Sequence, residues 1–207
     1  MVYDVAIVGG GFSGLCAAVM LTMAKINNIA VFDANKRIGK KILATGNGQG
    51  NLTNADMSLA HYHGDASFAA DALGRFGKSA MLGFFGDLGL LTSEKEGKIY
   101  PANFCASSIL DVLRFAIPED LPVFTETRIS DISKEKGNFV LKAADGKEFF
   151  AEKVVLAFGG SSGDGFSTDG KSYLLAEKFG HKTTTLVPSL VQLKTEREKI
   201  RGLKGIK

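Results

Sequence analysis

The chain of 207 residues is 45% hydrophobic and 23% charged, with 25 glycines and a formal net charge of +3 at pH 7. That length suits one large domain or one and a half, and the apolar content excludes a low-complexity or disordered chain. The last fourteen residues, KTEREKIRGLKGIK, hold six bases and two acids, so the excess charge sits at one end and does not mark the whole surface as nucleic-acid binding.

Tyr3 to Val8 is a short apolar run stopped by Gly9, Gly10 and Gly11, which predicts a buried parallel strand. Ser13 to Ile26 predicts a helix that is apolar nearly all round, with Cys16 as a small core residue. Asp4 and the three glycines exclude a signal peptide or a membrane span for this apolar start. A second β-rich run, Ile29 to Phe32, ends in Asp33. Strand, glycine turn, helix and strand open a Rossmann-type unit. Gly9 permits the tight turn, Gly11 lets the backbone approach a diphosphate, and Gly14 lets helix and strand pack closely. The diphosphate belongs on the helix's first amides, at Phe12 and Ser13, where unpaired N–H groups favour an anion. Asp33, about twenty residues after Gly14 and followed by Ala34, is placed for the ribose hydroxyls. Its charge repels a 2′-phosphate, which points to FAD or NAD over NADP. An α/β turn with no ligand is the plainer alternative.

Residues 34 to 55 hold four bases, Lys36, Arg37, Lys40 and Lys41, and no acid, which favours an anionic cofactor beside Asp33. Gly46, Gly48 and Gly50 free backbone N–H groups and allow positive φ, as a loop against a flat ligand requires. Thr45, Asn47, Asn51, Thr53 and Asn54 add neutral donors and acceptors for a ribityl chain and ring edge. Residues from about 56 to 105 read as an insertion, in which Phe68 to Phe85 predicts two covering helices. His61 and His63 flank Tyr62 with no carboxylate or cysteine cluster at ligand spacing, so no metal site is expected. The two cysteines form no Cys-x-x-Cys pair and point to a reducing compartment. Cys105 precedes a predicted helix, Ser107 to Ala116, whose start can lower a thiol pKa.

The third parallel strand is expected only in PVFTETRIS, residues 122 to 130, far later than in an NAD dehydrogenase. The segment FVLKAADGKEFFAEKVVLAFGG then predicts a hairpin closed at Asp145-Gly146 and a further strand, Lys153 to Phe158, running into Gly159-Gly160. A helix from about Lys171 ends at Gly180, with His181 beside its negative end.

The blocks VAIVGGGFSGL, GKKILATGNGQGNLTN, GKIYPANFCASSILDVL, VVLAFGGSS and AEKFGHKTTTLVPSLVQL span nearly the whole chain. In them the chain resembles the BaiN/RdsA-type FAD-dependent oxidoreductase family. The resemblance implies an α/β Rossmann-like FAD/NAD(P)-binding fold in three layers, with a parallel central sheet and a β-meander. It implies noncovalent FAD whose flavin, not a side chain, carries the electrons, NAD(P)H as a candidate donor and a cytoplasmic setting. The substrate would be a small molecule with a steroid-like ring, or a uridine of ribosomal RNA. The cofactor would rest on Gly9, Gly11, Phe12, Ser13, Gly14, Asp33, Ala34, Lys41, Thr45, Gly46 and Asn51. Small residues at a strand end, Ala157 and Gly159, would back its diphosphate, and the backbone near Ile129 would meet its adenine. A β-rich second domain follows in such proteins, so residues 1–190 are expected to form the FAD-binding domain and 191–207 to begin a truncated second one. Relatives read Gly-Arg-Cys-Asn where this chain reads Gly48-Gln49-Gly50-Asn51, and no cysteine pair is present for disulfide chemistry. A truncated, non-catalytic nucleotide-binding module is the alternative from another class. Oligomeric state is left open.

Overall fold

A computed structural model describes residues 1–163, 170, 172–187 and 195–202. The chain opens with β1 (Val2–Val8), α1 (Phe12–Met23) and β2 (Ile29–Phe32). All four residues of β2 are buried, as in a parallel strand covered on both faces. The first helix stops before the expected Ile26. Lys25 takes a left-handed φ of 61°, and the Ile26 N–H turns back to the Leu21 carbonyl at 3.0 Å.

β3 (Thr53–Asn54) leads into the insertion, which holds α2 (Ala70–Arg75), α3 (Lys78–Asp87), β4 (Thr92–Lys95) and β5 (Lys98–Pro101). The three strands pair antiparallel in the order β3-β5-β4. The two expected helices are α2 and α3, and fully buried Phe85 stacks on Phe12 of α1 with ring centroids 5.9 Å apart. The insertion is thereby fastened to the β1-α1-β2 unit. Next comes α4 (Ala106–Phe115), whose Ile109, Leu110 and Leu113 pack with Leu15 and Val19 of α1.

Four more strands follow: β6 (Val123–Phe124), β7 (Ile129–Glu135), β8 (Asn138–Ala143) and β9 (Glu148–Leu156). With β1 and β2 they form one six-stranded sheet, ordered β6-β2-β1-β9-β8-β7. Two strand expectations need correction. PVFTETRIS is not one strand: β6 pairs with β2 for two residues, then Glu126 turns at φ 53° and β7 starts the meander. Nor does a separate strand begin at Lys153, because β9 is continuous. Its first residues pair antiparallel with β8 and Phe150 to Leu156 run parallel to β1.

That shared strand joins meander and central sheet, and the two faces of the centre are covered differently. Tyr3, Ala6, Val8, Ala30 and Phe32 pack against meander residues Ile132, Leu141 and Ala143. Val5, Ile7, Ile29 and Val31 pack with Ala18 of α1 on the other face. Helices, parallel centre and meander are the three layers of the Rossmann-like α/β fold read from the sequence. The short α5 (Tyr173–Glu177) buries Leu175 in the meander-side core, and Lys178 pairs with Asp131 of β7.

Residues 191–194 and 203–207, expected to belong to a second domain, lie outside the described residues, as does 164–169 of the link after β9. Residues 195–202 include one 3-10 turn, Arg197–Ile200. Among the described residues no helix is long and apolar enough to cross a membrane.

Candidate functional site

The carboxyl ends of β1, β2 and β9 meet at a cavity of about 440 Å³, the position where open parallel sheets hold ligands. Each strand is extended one residue into it by the ladder: Gly9 N–H donates to the Phe32 carbonyl (2.7 Å), Ala157 N–H to the Val8 carbonyl (2.8 Å) and Asp33 N–H to the Phe124 carbonyl (2.9 Å). Gly9 has φ 113°, and a Cβ there would lie 2.8 Å from the Phe158 Cα, so no other residue fits without a shift. Gly14 does not line the cavity; a Cβ on it would run into the Gly9 carbonyl oxygen. Gly11 is the opposite case: a Cβ there would meet nothing within 4 Å, because its open side faces the cavity. Phe12 and Ser13 line the wall beside it. With Gly11 as N-cap and no side-chain cap bond, the first amides of α1 are left to whatever fills the space.

Asp33 is only 8% exposed. Its Oδ2 accepts the Gly10 N–H at 2.8 Å, and its Oδ1 accepts the Asn35 N–H at 2.7 Å and Nδ2 at 3.0 Å. A carboxylate oxygen accepts two bonds, so Oδ2 retains capacity for a ligand hydroxyl. A smaller cavity, about 60 Å³, lies next door and is lined by Ala34, Arg128 and Ile129. Gly9, Asp33, Asn35 and Phe158 line both, which puts Asp33 at the junction. Ala34 and Ile129 therefore line the second cavity and not the first.

The 34–52 loop supplies the opposite wall through Lys40, Lys41, Ile42, Thr45, Asn51 and Leu52. Lys41 Nζ reaches over to the segment after β9, donating to the Ser162 carbonyl (2.6 Å) and Oγ (3.1 Å). Lys36 and Arg37 do not share this wall; they line a separate groove, so the loop's positive charge is divided between two sites. The Thr45 hydroxyl donates to the Ile42 carbonyl at 2.6 Å. The Asn51 amide, turned to satisfy its donors, bonds the Thr53 and Ile99 carbonyls at 3.0 and 3.3 Å. Gly46 lies off the wall and turns the chain at φ 56°. Asn47, Thr53 and Asn54 also lie off it. Gly50, where the resembling family reads cysteine, has φ 75° and would place a Cβ 2.9 Å from the Ala106 Cα. Loop and α4 are closer there than a cysteine permits without movement.

Sequence reasoning missed Asn35, Ile42, Ile109 and Phe158, which all line the cavity. Asn35 had a readable signal, an amide two residues after a buried acid. Ile109 arrives on α4 from a distant part of the chain and reads simply as core. Small residues were expected after β9; Ala157 and Gly159 line the cavity as such, but Phe158 between them is large and sits edge-on to Tyr173 at 6.1 Å.

Neither thiol lines the cavity. Burial pushes the Cys16 thiol up to about 12, whereas the Ser107 hydroxyl, 3.1 Å from the exposed Cys105 sulfur, lowers that thiol's pKa with help from the Ser107 backbone. His61 pairs with Asp56 at 2.8 Å on the surface.

A parallel centre of this strand order, a glycine turn opening a helix and an acid ending the second strand define a Rossmann-type nucleotide-binding domain. The chain belongs to the HI0933-like protein Rossmann domain family, whose model matches residues 3–200. It is similar to a 3-dehydro-bile acid delta(4,6)-reductase of Clostridium scindens, 37% identical over 98% of this chain and 50% of that protein. It is also similar to ribosomal RNA dihydrouridine synthases of Haemophilus influenzae (30% identical, 84% of this chain, 44% of that protein) and Escherichia coli (26%, 86% and 44%). The chain spans about half the length of the curated relatives it matches.

Proposed function

We propose that this chain is the FAD-binding part of a flavin-dependent oxidoreductase. The observation that carries the reading is the cavity at the ends of β1, β2 and β9, where the open side of Gly11, the uncapped amides of α1 and the Asp33 carboxylate converge. Those groups fit a dinucleotide: Gly9, Gly11, Phe12, Ser13 and Gly14 shape the diphosphate seat, and Asp33 beside Ala34 takes ribose hydroxyls. Lys41, Thr45 and Asn51 form the wall for the ribityl chain and ring, with Gly46 turning the loop behind them, Ala157 and Gly159 back the diphosphate, and the backbone at Ile129 meets adenine. FAD is favoured over NAD by the long insertion between β2 and β6 and by the meander that feeds β9.

When bound, the flavin supplies two-electron redox chemistry, and the protein binds and orients it. NAD(P)H is the electron donor in this reading. The substrate in this reading is a steroid-like ring or an rRNA uridine, which the similarity to a bile acid reductase and to rRNA dihydrouridine synthases supports. The two free cysteines fit a reducing, cytoplasmic setting. Residues 1–190 form the FAD-binding domain and 191–207 lead into a second one.

The test is to load the purified chain with FAD and add NADH or NADPH without oxygen. Bleaching of the flavin band supports the reading. Bound FAD that dithionite reduces but neither nucleotide reduces would remove NAD(P)H as donor. A chain that takes up FAD yet exchanges no electrons would be a non-catalytic nucleotide-binding module.

A further inference from the structure

The four bases of the 34–43 loop serve two cavities, with Lys40 at the border of both. Lys40 and Lys41 line the cofactor cavity, while Lys36 and Arg37 line a groove of about 970 Å³ behind it. The other wall is one stripe of α4, formed by Ser107, Leu110, Asp111 and Arg114, spaced i, i+3, i+4 and i+7 so that they share a helix face. Val123 and Thr125, at the β6 edge of the sheet, complete it.

Lys36, Arg37 and Arg114 are exposed, and among the described residues none of them forms an ion pair. Asp111 is the one acid among the described residues lining this groove. Three cations against one carboxylate leave two positive charges, Lys40 being set aside because it lines both cavities. A phosphomonoester carries about −1.5 to −2 at pH 7 and balances that charge, whereas a carboxylate supplies half of it. Arginine forks also match phosphate oxygens in pairs. Among the described residues no aromatic ring lines the groove, so they offer no stacking platform of the kind on which single-stranded RNA is held. Ile38, Leu43, Leu110 and Val123 instead offer aliphatic surface for a ligand's neutral body.

We infer that this groove is a second anion site, separate from the dinucleotide cavity, that takes a phosphomonoester between Arg37 and Lys36 on the loop and Arg114 on α4. Inorganic phosphate, a sugar phosphate and the 2′-phosphate of an adenine nucleotide share the required dianion. A 2′-phosphate, repelled by Asp33 in the first cavity, is attracted here.

The test is calorimetric titration of the whole chain, saturated with FAD, with adenosine 2′,5′-bisphosphate, inorganic phosphate and a uridine-rich RNA. Binding of the phosphomonoesters is expected, with affinity falling at least about tenfold in Arg37→Glu and in Arg114→Glu and partly kept in the lysine variants. Unchanged FAD uptake and circular dichroism in these variants would show that fold and first cavity are intact. Tighter binding of the bisphosphate than of inorganic phosphate assigns the phosphate to a nucleotide, and equal binding assigns it to free phosphate; either supports the site. Should the chain take up no FAD, the same titrations without it still decide through the two arginine variants. Phosphomonoester binding that FAD abolishes, that ignores both Arg→Glu changes, or that is weaker than binding of RNA would overturn the inference.

Discussion

The Asp33 carboxylate accepts the Gly10 N–H at 2.8 Å, tying the end of β2 to the glycine turn that follows β1. The residue proposed to read a ribose therefore also holds in shape the glycine turn proposed to seat the diphosphate. Asp33→Ala leaves the Gly10 and Asn35 donors without their acceptor and is expected to cost about 1–3 kcal/mol of stability. Urea unfolding measures that loss, and FAD titration of the same variant is expected to show at least a tenfold weaker complex, about 1.4 kcal/mol. Native-like stability in Asp33→Ala would show that these bonds contribute little.

Gly11 and Gly14 separate binding from folding. A methyl at Gly14 meets the Gly9 carbonyl oxygen, so Gly14→Ala should destabilise by about 1–3 kcal/mol. A methyl at Gly11 meets nothing within 4 Å, and Gly11 has an ordinary φ of −81°. Gly11→Ala is expected to leave Tm nearly unchanged while weakening FAD binding. Thermal melts and FAD titrations of both variants check the contrast, and equal losses of Tm would refute it.

The two thiols should differ sharply in reactivity. Cys105 is exposed and its pKa is lowered by the Ser107 hydroxyl, so its thiolate appears at lower pH than that of an ordinary cysteine. Cys16, raised to about 12 by burial, stays a thiol at neutral pH. Peptide mapping after brief iodoacetamide treatment at neutral pH is expected to find the label on Cys105, and Cys105→Ser should leave the native chain almost unlabelled. Equal labelling of Cys16 would contradict the burial.

Lys178 hydrogen-bonds the Asp131 carboxylate and lowers its pKa, attaching the end of α5 to β7. A carboxylate whose folded pKa lies below its unfolded value adds stability above the unfolded pKa and loses it as pH falls through the folded one. The contribution should be complete above about pH 4 and fade below it. Because both groups are solvent-exposed, it should stay under about 1 kcal/mol. Melts across acidic pH should show a shallower acid-side decline in Asp131→Asn than in the native chain, and parallel declines would remove the pair as a contributor.

Much of the architecture is legible in the chain because its signals are local. Runs of buried apolar residues ending at Gly9 and Asp33 mark β1 and β2, since a strand covered on both faces needs no alternation. The misread strands fail for equally local reasons. Glu126 turns left-handed without being glycine, so nothing in PVFTETRIS marks the break. Glu152 and Lys153 look like a boundary, yet both are simply exposed positions in an uninterrupted β9. At the site, glycines and an acid at fixed spacing are visible, while Ile109 comes from a helix that only tertiary packing brings near. That Lys41 lines the first cavity, Lys36 and Arg37 the groove behind it and Lys40 both is likewise set by tertiary placement, and composition carries no sign of it.

Whether the cavity at the ends of β1, β2 and β9 is an FAD site is decided by equilibrium titration of the purified chain with FAD and, separately, with NAD. Saturable uptake of one FAD per chain is expected, with the flavin spectrum perturbed on binding, a markedly weaker complex in Gly11→Ala, and no comparable affinity for NAD. Native chain that takes up no FAD, or that binds NAD in preference to it, would contradict this assignment.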